Sequence, residues 1–378
     1  MRADQAINLE DFKQAARRYL PRMIFDYIEG AAEDELALAR NRTAFETIEL
    51  VPRFLCDVST IDQSAALMGN VHAFPVGIAP TGMAAITRCD ADLLLAEVAH
   101  AAGVPFILSG ASNSAMEKIA AIAPSAWYQI YVPKREDIRR DQIRRVADAG
   151  LGTLVFTVDI PIYSKRERDI RSGWVRPYTP SWGSKIEALR HPRWLLNYLR
   201  TGIPTLENWL PYCPPGSGPM DVTGFFAEQA FAVQTWDLLR DMRDQFKGRL
   251  VVKGILSAED AAMAVEAGVD GIIVSNHGGR QFDKGPAALT VLPGICDAVA
   301  GRVPVMIDSG INRGSDVVAA LCLGASFAFV GRATLYAVAS HGREGVTRAL
   351  DILRQEIHLA MASIGCIRLS QLDRSYLR

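Results

Sequence analysis

Eight short apolar runs of strand length constrain the fold of this 378-residue chain more than any other feature. They lie at residues 76–79, 106–109, 127–131, 154–159, 250–254, 271–275, 304–308 and 327–331. Most are followed by a segment with helical periodicity, such as ADLLLAEVAHAAG or SDVVAALCLGA, so strand and helix alternate along the chain. Because the runs are apolar at nearly every position, they predict parallel strands that are covered on both faces.

Eight strand–helix units favour closure into a (β/α)8 TIM barrel. We therefore predict one domain over residues 1–378, with the barrel at about 74–366. A doubly wound open sheet is the alternative, but the G-x-G-x-x-G fingerprint of its nicotinamide-binding members is missing between the first strand and helix. The segments LEDFKQAARRYL and PRMIFDYIEGAAEDELALARNRTAF precede the first strand and predict helices outside the barrel that close one of its ends.

A single long gap separates the fourth and fifth runs, and we call residues 172–224 within it the inserted segment. It contains four of the six tryptophans of the chain, Trp174, Trp182, Trp194 and Trp209. Such an aromatic composition disfavours disorder, so we predict a long loop that serves as a lid or as an interaction surface. Within it, HPRWLLNYLRTG predicts a short amphipathic helix. The four tryptophans suit an interface.

The composition narrows the class of partner. With 41 basic against 42 acidic residues, the chain has no global field that would attract nucleic acid, and a small ligand is expected. The six cysteines are widely spaced without a C-x-x-C pair, which predicts neither disulfides nor a zinc site and fits a reducing cytoplasm. The N-terminus lacks the apolar stretch of a signal peptide, and no apolar run is long enough to predict a membrane span.

Polar residues gather where the predicted strands end, which is the face on which TIM barrels carry their active sites. In chain order these residues are Ala79-Pro80-Thr81-Gly82, Ser109, Gln129 and Tyr131, Thr157 and Asp159, Lys253, Ser275 to Arg280, Asp308-Ser309-Gly310, and Gly331-Arg332.

Two of these groups predict a phosphorylated ligand. The glycine-containing turns after the seventh and eighth strands, with Arg313 and Arg332 nearby, are where barrel proteins usually hold a phosphate. Lys253 lies in an apolar strand, where an unpaired charge is costly. An anionic cofactor ring would compensate it, and so would a core carboxylate.

The remaining charged residues permit acid–base chemistry on a carboxylic acid. His277 is either a base or a structural histidine, and Asp159 would orient it and stabilise its protonated form. Arg166 and Arg280 are suited to clamp a carboxylate by bidentate hydrogen bonds. Arg166 lies in the charge run KRERD, however, and such runs are typical of a solvated face.

The motif SNHGGRQFD resembles the signature of the FMN-dependent 2-hydroxy acid dehydrogenase and oxidase family. The resemblance continues through DYIEGAAEDE, APTGM, QIYV, TVDIP, RERD, VVKGILSAEDA, IDSGINRGSD and GRATLY, and so covers the chain outside the inserted segment. It is strongest with the branch that oxidises (S)-mandelate. Flavin L-lactate dehydrogenases and glycolate oxidases are more distant.

The resemblance implies FMN as cofactor and the oxidation of an (S)-2-hydroxy acid to the 2-oxo acid. It makes His277 the base, with Asp159 as its partner. The substrate would be bound by Arg166, Arg280, Tyr27 and Tyr131, while Lys253 would stabilise negative charge on the reduced flavin. The flavin ring would be held by Ala79, Pro80, Thr81, Gly82, Ser109, Gln129, Thr157 and Ser275, and the phosphate by Asp308, Ser309, Gly310, Gly331 and Arg332. Asn312 occupies a position where relatives often carry a phosphate-binding arginine, and Arg313 would substitute for it.

Two small residues bear on the substrate and the electron acceptor. Glycolate oxidases carry a tryptophan where this chain has Ala111, so the resemblance predicts a pocket open to a large or aromatic substituent, unless Phe54, Met83 or the inserted segment refills it. Gly82 resembles the dehydrogenase members, which predicts a quinone or similar acceptor and slow reaction with oxygen. An L-lactate dehydrogenase or an oxygen-using oxidase is the alternative.

The resemblance also implies a homotetramer, and peripheral contact of the inserted segment with the cytoplasmic side of the inner membrane. A soluble cytoplasmic enzyme, with this segment as a lid, is the alternative. Two hypotheses from other classes stay open: an aldolase that uses Lys253 as a Schiff base, and a silent barrel kept as a binding protein.

Overall fold

The computed structural model describes residues 1–174 and 182–378, and all eight predicted strands are present in it. A short antiparallel hairpin, β1 (Ala65–Leu67) and β2 (Asn70–His72), precedes them. The eight strands are β3 (Val76–Ile78), β4 (Ile107–Leu108), β5 (Trp127–Ile130), β6 (Thr153–Thr157), β7 (Arg249–Ile255), β8 (Gly271–Val274), β9 (Val305–Ile307) and β10 (Phe327–Val330).

These eight strands form one parallel sheet in the order β3-β10-β9-β8-β7-β6-β5-β4. Its two outer strands meet through a parallel bridge between Ile78 and Phe106, where the Ile78 N–H donates to the Pro105 carbonyl at 2.9 Å. The sheet thus closes on itself. The predicted (β/α)8 barrel is confirmed, and the open-sheet alternative is wrong.

The barrel interior consists of an apolar layer with a polar layer above it. The apolar layer is a cluster separate from the main core, and it includes Ile107, Trp127, Val155, Val251, Ile273, Met306, Phe327 and Phe329. Successive side chains of a strand alternate between its two faces, so residues two positions apart share a face. Two positions after most of these residues the side chain is polar, as at Gln129, Lys253 and Asp308, and this second layer lies at the carboxyl ends of the strands.

Helices surround the barrel, and the larger apolar core lies between them and the strands. They are α1 (Leu9–Tyr19), α2 (Arg22–Glu29), α3 (Leu36–Glu46), α4 (Ala91–Ala101), α5 (Met116–Ile122), α6 (Glu136–Asp148), α7 (Glu167–Ser172), α8 (Trp182–Leu189), α9 (Pro192–Thr201), α10 (Pro219–Gln229), α11 (Trp236–Gln245), α12 (Ala258–Glu266), α13 (Ala288–Val299), α14 (Gly314–Cys322) and α15 (Arg332–Ser363).

The two ends of the barrel are closed by different elements. The β1–β2 hairpin, whose three-residue strands are too short to show a sequence pattern, packs Ala65 and Leu67 against the apolar interior layer. Helices α2 and α3 lie at the opposite end, where Tyr27 and Arg42 border the cavity described below. The sequence therefore predicted correctly that N-terminal helices close one end, but it missed the hairpin.

The inserted segment is largely helical rather than one long loop. Residues 175–181 and the side chain of Trp182 lie outside the described part of the chain. The remainder contains α8, α9 and the start of α10, and α9 confirms the helix predicted from HPRWLLNYLRTG. Within the described residues, no helix is both long and apolar enough to cross a membrane.

Two tryptophans of the inserted segment face the barrel. Trp194 and Trp209 are buried, and their indole N–H groups donate to the carbonyl oxygens of Ile86 and Gly110 at 2.9 and 2.8 Å. These carbonyls belong to the loops that follow β3 and β4. Our interpretation of these two tryptophans as interfacial is therefore wrong, because buried indoles here satisfy loop carbonyls.

Removing a ring from the apolar interior layer should destabilise the whole barrel. Phe329→Ala deletes a side chain that is 1% exposed among other aromatic rings, and the cavity left should cost about 3–5 kcal/mol. Denaturant titration would measure the loss, with Phe282→Ala, at a position that is 67% exposed, as control. Equal stabilities of the two variants would contradict this assignment of the interior.

Candidate active site

A cavity of about 530 Å³ opens at the carboxyl ends of the strands, within the size range of cofactor and substrate sites. Most of the residues predicted from the sequence line it. They are Tyr27, Ala79, Pro80, Thr81, Gly82, Ala111, Tyr131, Arg166, Lys253, His277, Arg280, Asp308, Ser309, Gly310, Asn312, Gly331 and Arg332. They converge because parallel strands present all their carboxyl ends on the same side.

Ser109, Gln129, Thr157 and Ser275 are buried in the polar layer. The Gln129 Oε1 accepts hydrogen bonds from the Ser109 hydroxyl at 3.2 Å and from the Gly110 N–H at 3.1 Å. The Gln129 Nε2 and the Thr157 Oγ1 find no partner among the described residues. Buried donors without a partner are costly, so this layer fits a ligand rich in ring nitrogens and carbonyl oxygens, as the flavin of FMN is.

His277 is paired with Asp159. Its Nδ1 lies 2.9 Å from the Asp159 Oδ1, and the side chain of His277 borders the cavity. The close approach of Asp159 to β7 requires Gly254, which has a φ of +110° and whose absent side chain would lie 2.7 Å from the Asp159 Cβ. A histidine that borders a cavity and is held by a carboxylate has the arrangement that a base requires.

Burial and charge set the protonation states of this pair. Burial is the main cause that lowers the pKa of His277, against the opposing effect of Asp159, so the imidazole is neutral near pH 7. Burial raises the pKa of Asp159, but the charges of His277 and Lys253 and the hydrogen bond from His277 outweigh it, and the pKa is lowered. Asp159 is therefore an ionised partner that favours the protonated imidazole once it forms.

Lys253 is buried and forms an ion pair. Its Nζ lies 3.0 Å from the Asp308 Oδ2 and 2.8 Å from the Ser275 Oγ. The sequence had left open whether a cofactor or a core carboxylate compensates this charge, and the carboxylate is present. Burial lowers the pKa of Lys253, but Asp308 and Asp159 outweigh it and raise the pKa, so the amine stays protonated. A protonated amine is a poor nucleophile, which disfavours the Schiff-base aldolase.

Arg166 and Arg280 lie side by side at the cavity. Arg280 Nη1 donates to the carbonyls of Tyr27 and Gly30, both at 2.7 Å. Arg166 Nη2 donates to the Gln281 Oε1 at 3.1 Å. Burial, then repulsion from Arg280, lowers the pKa of Arg166 to about 10, so Arg166 remains charged at neutral pH. Two arginines at one cavity suit an anionic ligand, and the interpretation of Arg166 as part of a solvated face is wrong.

Three side chains at the predicted phosphate end of the cavity have partners within the protein. The guanidinium of Arg332 donates to the carbonyls of Ile28, Gly30 and Gly278 at 2.9–3.0 Å. The Asp308 carboxylate pairs with Lys253, and Arg313 Nη1 lies 2.6 Å from the Glu356 Oε1. Each of these side chains is hydrogen-bonded or ion-paired to a protein group. Contact between Asp308 and a phosphate would therefore have to come from the main chain of Asp308.

Two cations at this end were missed by the sequence analysis. Arg42 lies 2.6 Å from Asp316, Lys13 lies 2.7 Å from Glu29, and both border the cavity. They belong to α3 and α1, and no motif in the sequence shows that these helices dock beside the strand ends.

Part of the cavity wall is apolar. Ala111 and Met83 line it as predicted, but Phe54 is 81% exposed and is not among the lining residues, so the suggestion that Phe54 refills the pocket is wrong. Phe226 and Phe231 line it as well and were missed. Both residues follow the inserted segment and belong to no barrel strand. The expectation that site residues lie where strands end therefore does not predict them.

Comparison with known proteins agrees with this arrangement. A model of the FMN-dependent dehydrogenase family matches residues 16–378. (S)-mandelate dehydrogenase of Pseudomonas putida is 39% identical over 374 residues, which is 98% of this chain and 93% of that protein. L-lactate dehydrogenase of Caulobacter sp. (strain K31) is 40% identical over 369 residues, 97% of each chain.

The fold is also similar to a solved structure. The crystal structure of the monotopic membrane protein (S)-mandelate dehydrogenase superposes with a TM-score of 0.95 at 38% identity and covers 99% of both chains. The family resemblance seen in the motifs is confirmed, and with it the cofactor and the general chemistry, the oxidation of 2-hydroxy acids. The chain belongs to the FMN-dependent dehydrogenase family, and FMN is its cofactor.

Proposed function

We propose that this chain oxidises an (S)-2-hydroxy acid with a large or aromatic side chain, such as (S)-mandelate, to the 2-oxo acid. The observation that carries the proposal is the presence, at one cavity, of the His277–Asp159 pair and the two arginines Arg166 and Arg280. Such an arrangement suits a substrate that carries a carboxylate next to the carbon that is oxidised.

We assign the steps on the protein side as follows. Arg166 and Arg280 bind the substrate carboxylate, and Tyr27 donates a hydrogen bond to it. Tyr131 stays protonated, because burial raises the pKa of its hydroxyl, and it donates to the substrate hydroxyl oxygen. Neutral His277 takes one proton from the substrate, and Asp159 stabilises the resulting cation. FMN, when bound, would accept the two electrons together with the second hydrogen. Lys253 would lie beside its ring, with Gln129 and Thr157 as further donors.

The preference for a large substituent rests on two small residues. Gly82 and Ala111 both line the cavity, and a Cβ built on Gly82 would lie only 3.1 Å from the Ala111 Cβ. There is thus no room for a side chain at Gly82 beside Ala111, and larger residues at either position would narrow the pocket. We also propose a quinone-type acceptor with slow oxygen reactivity. The homotetramer stays a prediction.

Anaerobic bleaching of the FMN absorbance by a series of 2-hydroxy acids would test the function. We expect (S)-mandelate to bleach faster than (S)-lactate, with reoxidation fast by a soluble quinone and slow by air-level oxygen. Faster bleaching by lactate would instead support an L-lactate dehydrogenase. Reoxidation by oxygen at the rate of turnover would point to an oxidase.

The pH dependence follows from the direction of the His277 pKa. The base must be neutral, and burial holds the pKa of His277 below 6.5. As the pH is lowered, kcat/KM should therefore stay constant past pH 6.5 and fall only at a lower pH. Asp159→Asn removes a group that raises the pKa of His277. The acidic limb of the profile should therefore move to lower pH, while kcat falls at least about 100-fold.

The measurement is a kcat/KM profile from pH 4.5 to 9 for both proteins, with FMN content as the control for folding. An acidic limb that moves to higher pH in Asp159→Asn, or an unchanged kcat, would contradict the assignment of His277 and Asp159 as base and partner.

We further propose that the inserted segment binds the surface of an anionic membrane. The outward faces of α8 and α9, with the residues just after α9, expose five aliphatic side chains: Ile186, Leu189, Leu196, Leu199 and Ile203. Lys185, Arg190, Arg193 and Arg200 lie among them. Aliphatic residues flanked by basic ones are the pattern of an interfacial helix that attracts anionic lipid.

Vesicle co-sedimentation would test this surface. The double substitution Leu196→Glu with Leu199→Glu should abolish binding to phosphatidylglycerol-rich vesicles and leave kcat unchanged, because both side chains point away from the cavity. Leu359→Glu, a leucine that is 63% exposed on α15, is the matched control and should bind like the native protein. Equal binding by all three proteins would contradict the proposed surface.

A further inference from the structure

The apolar wall of the cavity is built from aromatic rings that meet edge to face or at a tilt. The Phe226 and Phe231 rings lie 6.0 and 5.6 Å from the ring of Tyr131, and 5.9 Å from each other with planes inclined at 66°. Tyr131 is the residue we assign to the substrate hydroxyl. The wall thus begins beside the reacting carbon and extends away from it.

Phe226 and Phe231 occupy different depths of this wall. Phe226 is 3% exposed yet borders the cavity, so its ring is held rigidly on α10. Phe231 is half-buried, and its ring meets the ring of Tyr163 at 4.6 Å and 72°. Tyr163 belongs to the chain between β6 and α7. The wall therefore runs from a rigid base at Phe226 to a rim where two loops meet.

Trp209 joins this wall to the loop that carries Ala111. Its ring contacts Phe226 at 5.1 Å and 73°, and its indole N–H donates to the Gly110 carbonyl at 2.8 Å. Gly110 immediately precedes Ala111, and its N–H donates to the Gln129 Oε1 at 3.1 Å. Trp209 is 0% exposed. One rigid indole therefore sets the separation between the small residue Ala111 and the ring of Phe226.

We infer that Phe226 and Phe231 are specificity-determining residues that select an uncharged aryl group on the substrate, and that Trp209 is a positioning residue for both sides of the pocket. The inference rests on the proposed oxidation of 2-hydroxy acids and names its substrate class more narrowly. Edge-to-face contact stabilises an aromatic ring beyond the burial of its area. The phenylalanine rings offer no hydrogen-bond donor to a carboxylate on the aryl group, so that substituent is disfavoured. An ammonium there would be repelled by the charges of Arg166 and Arg280, which act on the neighbouring Tyr131.

The wall can be tested with neighbouring phenylalanines. Phe226→Leu keeps an apolar side chain but removes the ring. Phe225→Leu makes the same change at the adjacent position and is the control. The ring of Phe225 packs toward Trp209, and Phe225 is not among the described cavity-lining residues. We expect Phe226→Leu and Phe231→Ala each to lower the kcat/KM ratio of mandelate to lactate about five- to tenfold. Phe225→Leu should leave this ratio within about twofold of the native value.

Trp209→Phe tests the positioning role because it keeps a ring and removes the N–H. We expect the FMN content to stay at one per chain and the mandelate-to-lactate ratio to fall, mainly through a higher KM for mandelate. Trp236→Phe, a half-buried tryptophan on α11, is the matched control for loss of ring volume. A purely structural role of Trp209 would lower kcat/KM equally for both acids, and that outcome would overturn the inference.

Failure of the proposed function and failure of the aromatic wall are distinguishable. If none of the 2-hydroxy acids bleaches the FMN of the native protein, the proposed function is wrong. Bleaching by 2-hydroxy acids with an unchanged ratio in Phe226→Leu and Phe231→Ala would defeat only the aromatic wall. Competitive inhibition by the two product acids gives a second readout that does not depend on turnover of the variant. The strength of inhibition by phenylglyoxylate relative to pyruvate should fall in parallel with the mandelate-to-lactate ratio of kcat/KM.

Discussion

The closed parallel sheet is the constraint on which the rest of this structure depends. Closure between β3 and β4 through Ile78 and Phe106 leaves the barrel with no free edge, and it brings the carboxyl ends of all eight strands to one mouth. Because side chains alternate along a strand, the apolar layer that fills the interior is followed two residues later by a polar layer. The site is therefore a direct extension of the core packing.

Charge balance gives this mouth its chemistry. Lys253 has a buried carboxylate partner in Asp308, whereas Arg280 and Arg332 are held by main-chain carbonyls of the last turn of α2, of Gly30 just after it, and of Gly278 after β8. Carbonyl dipoles orient a guanidinium without neutralising it. The cavity consequently keeps an excess of positive charge, which suits a ligand with a phosphate and a substrate with a carboxylate. The same contacts fasten the N-terminal helices over the mouth.

The inserted segment has two faces with different chemistry. Its buried tryptophans, Trp194 and Trp209, donate to loops that follow β3 and β4, while its aliphatic and basic residues face outward on α8 and α9. A lid and a membrane-binding surface had seemed to be alternatives because both need aromatic and apolar residues. The structure divides these residues between the two faces, so a single segment supports the pocket from outside and still exposes the apolar and basic surface that we propose binds lipid.

The sequence by itself determined the barrel and much of the site. Strands that are covered on both faces must be apolar, and residues at their ends converge in any closed parallel sheet, so His277, Asp159 and Lys253 could be placed from strand ends, and family motifs assigned their roles. Tertiary structure alone decided what lies outside the strand pattern. The β1–β2 hairpin, the partners of Arg332 and Arg313, and the wall formed by Phe226 and Phe231 all depend on how non-strand chain packs. That packing is long-range, and no local periodicity records it.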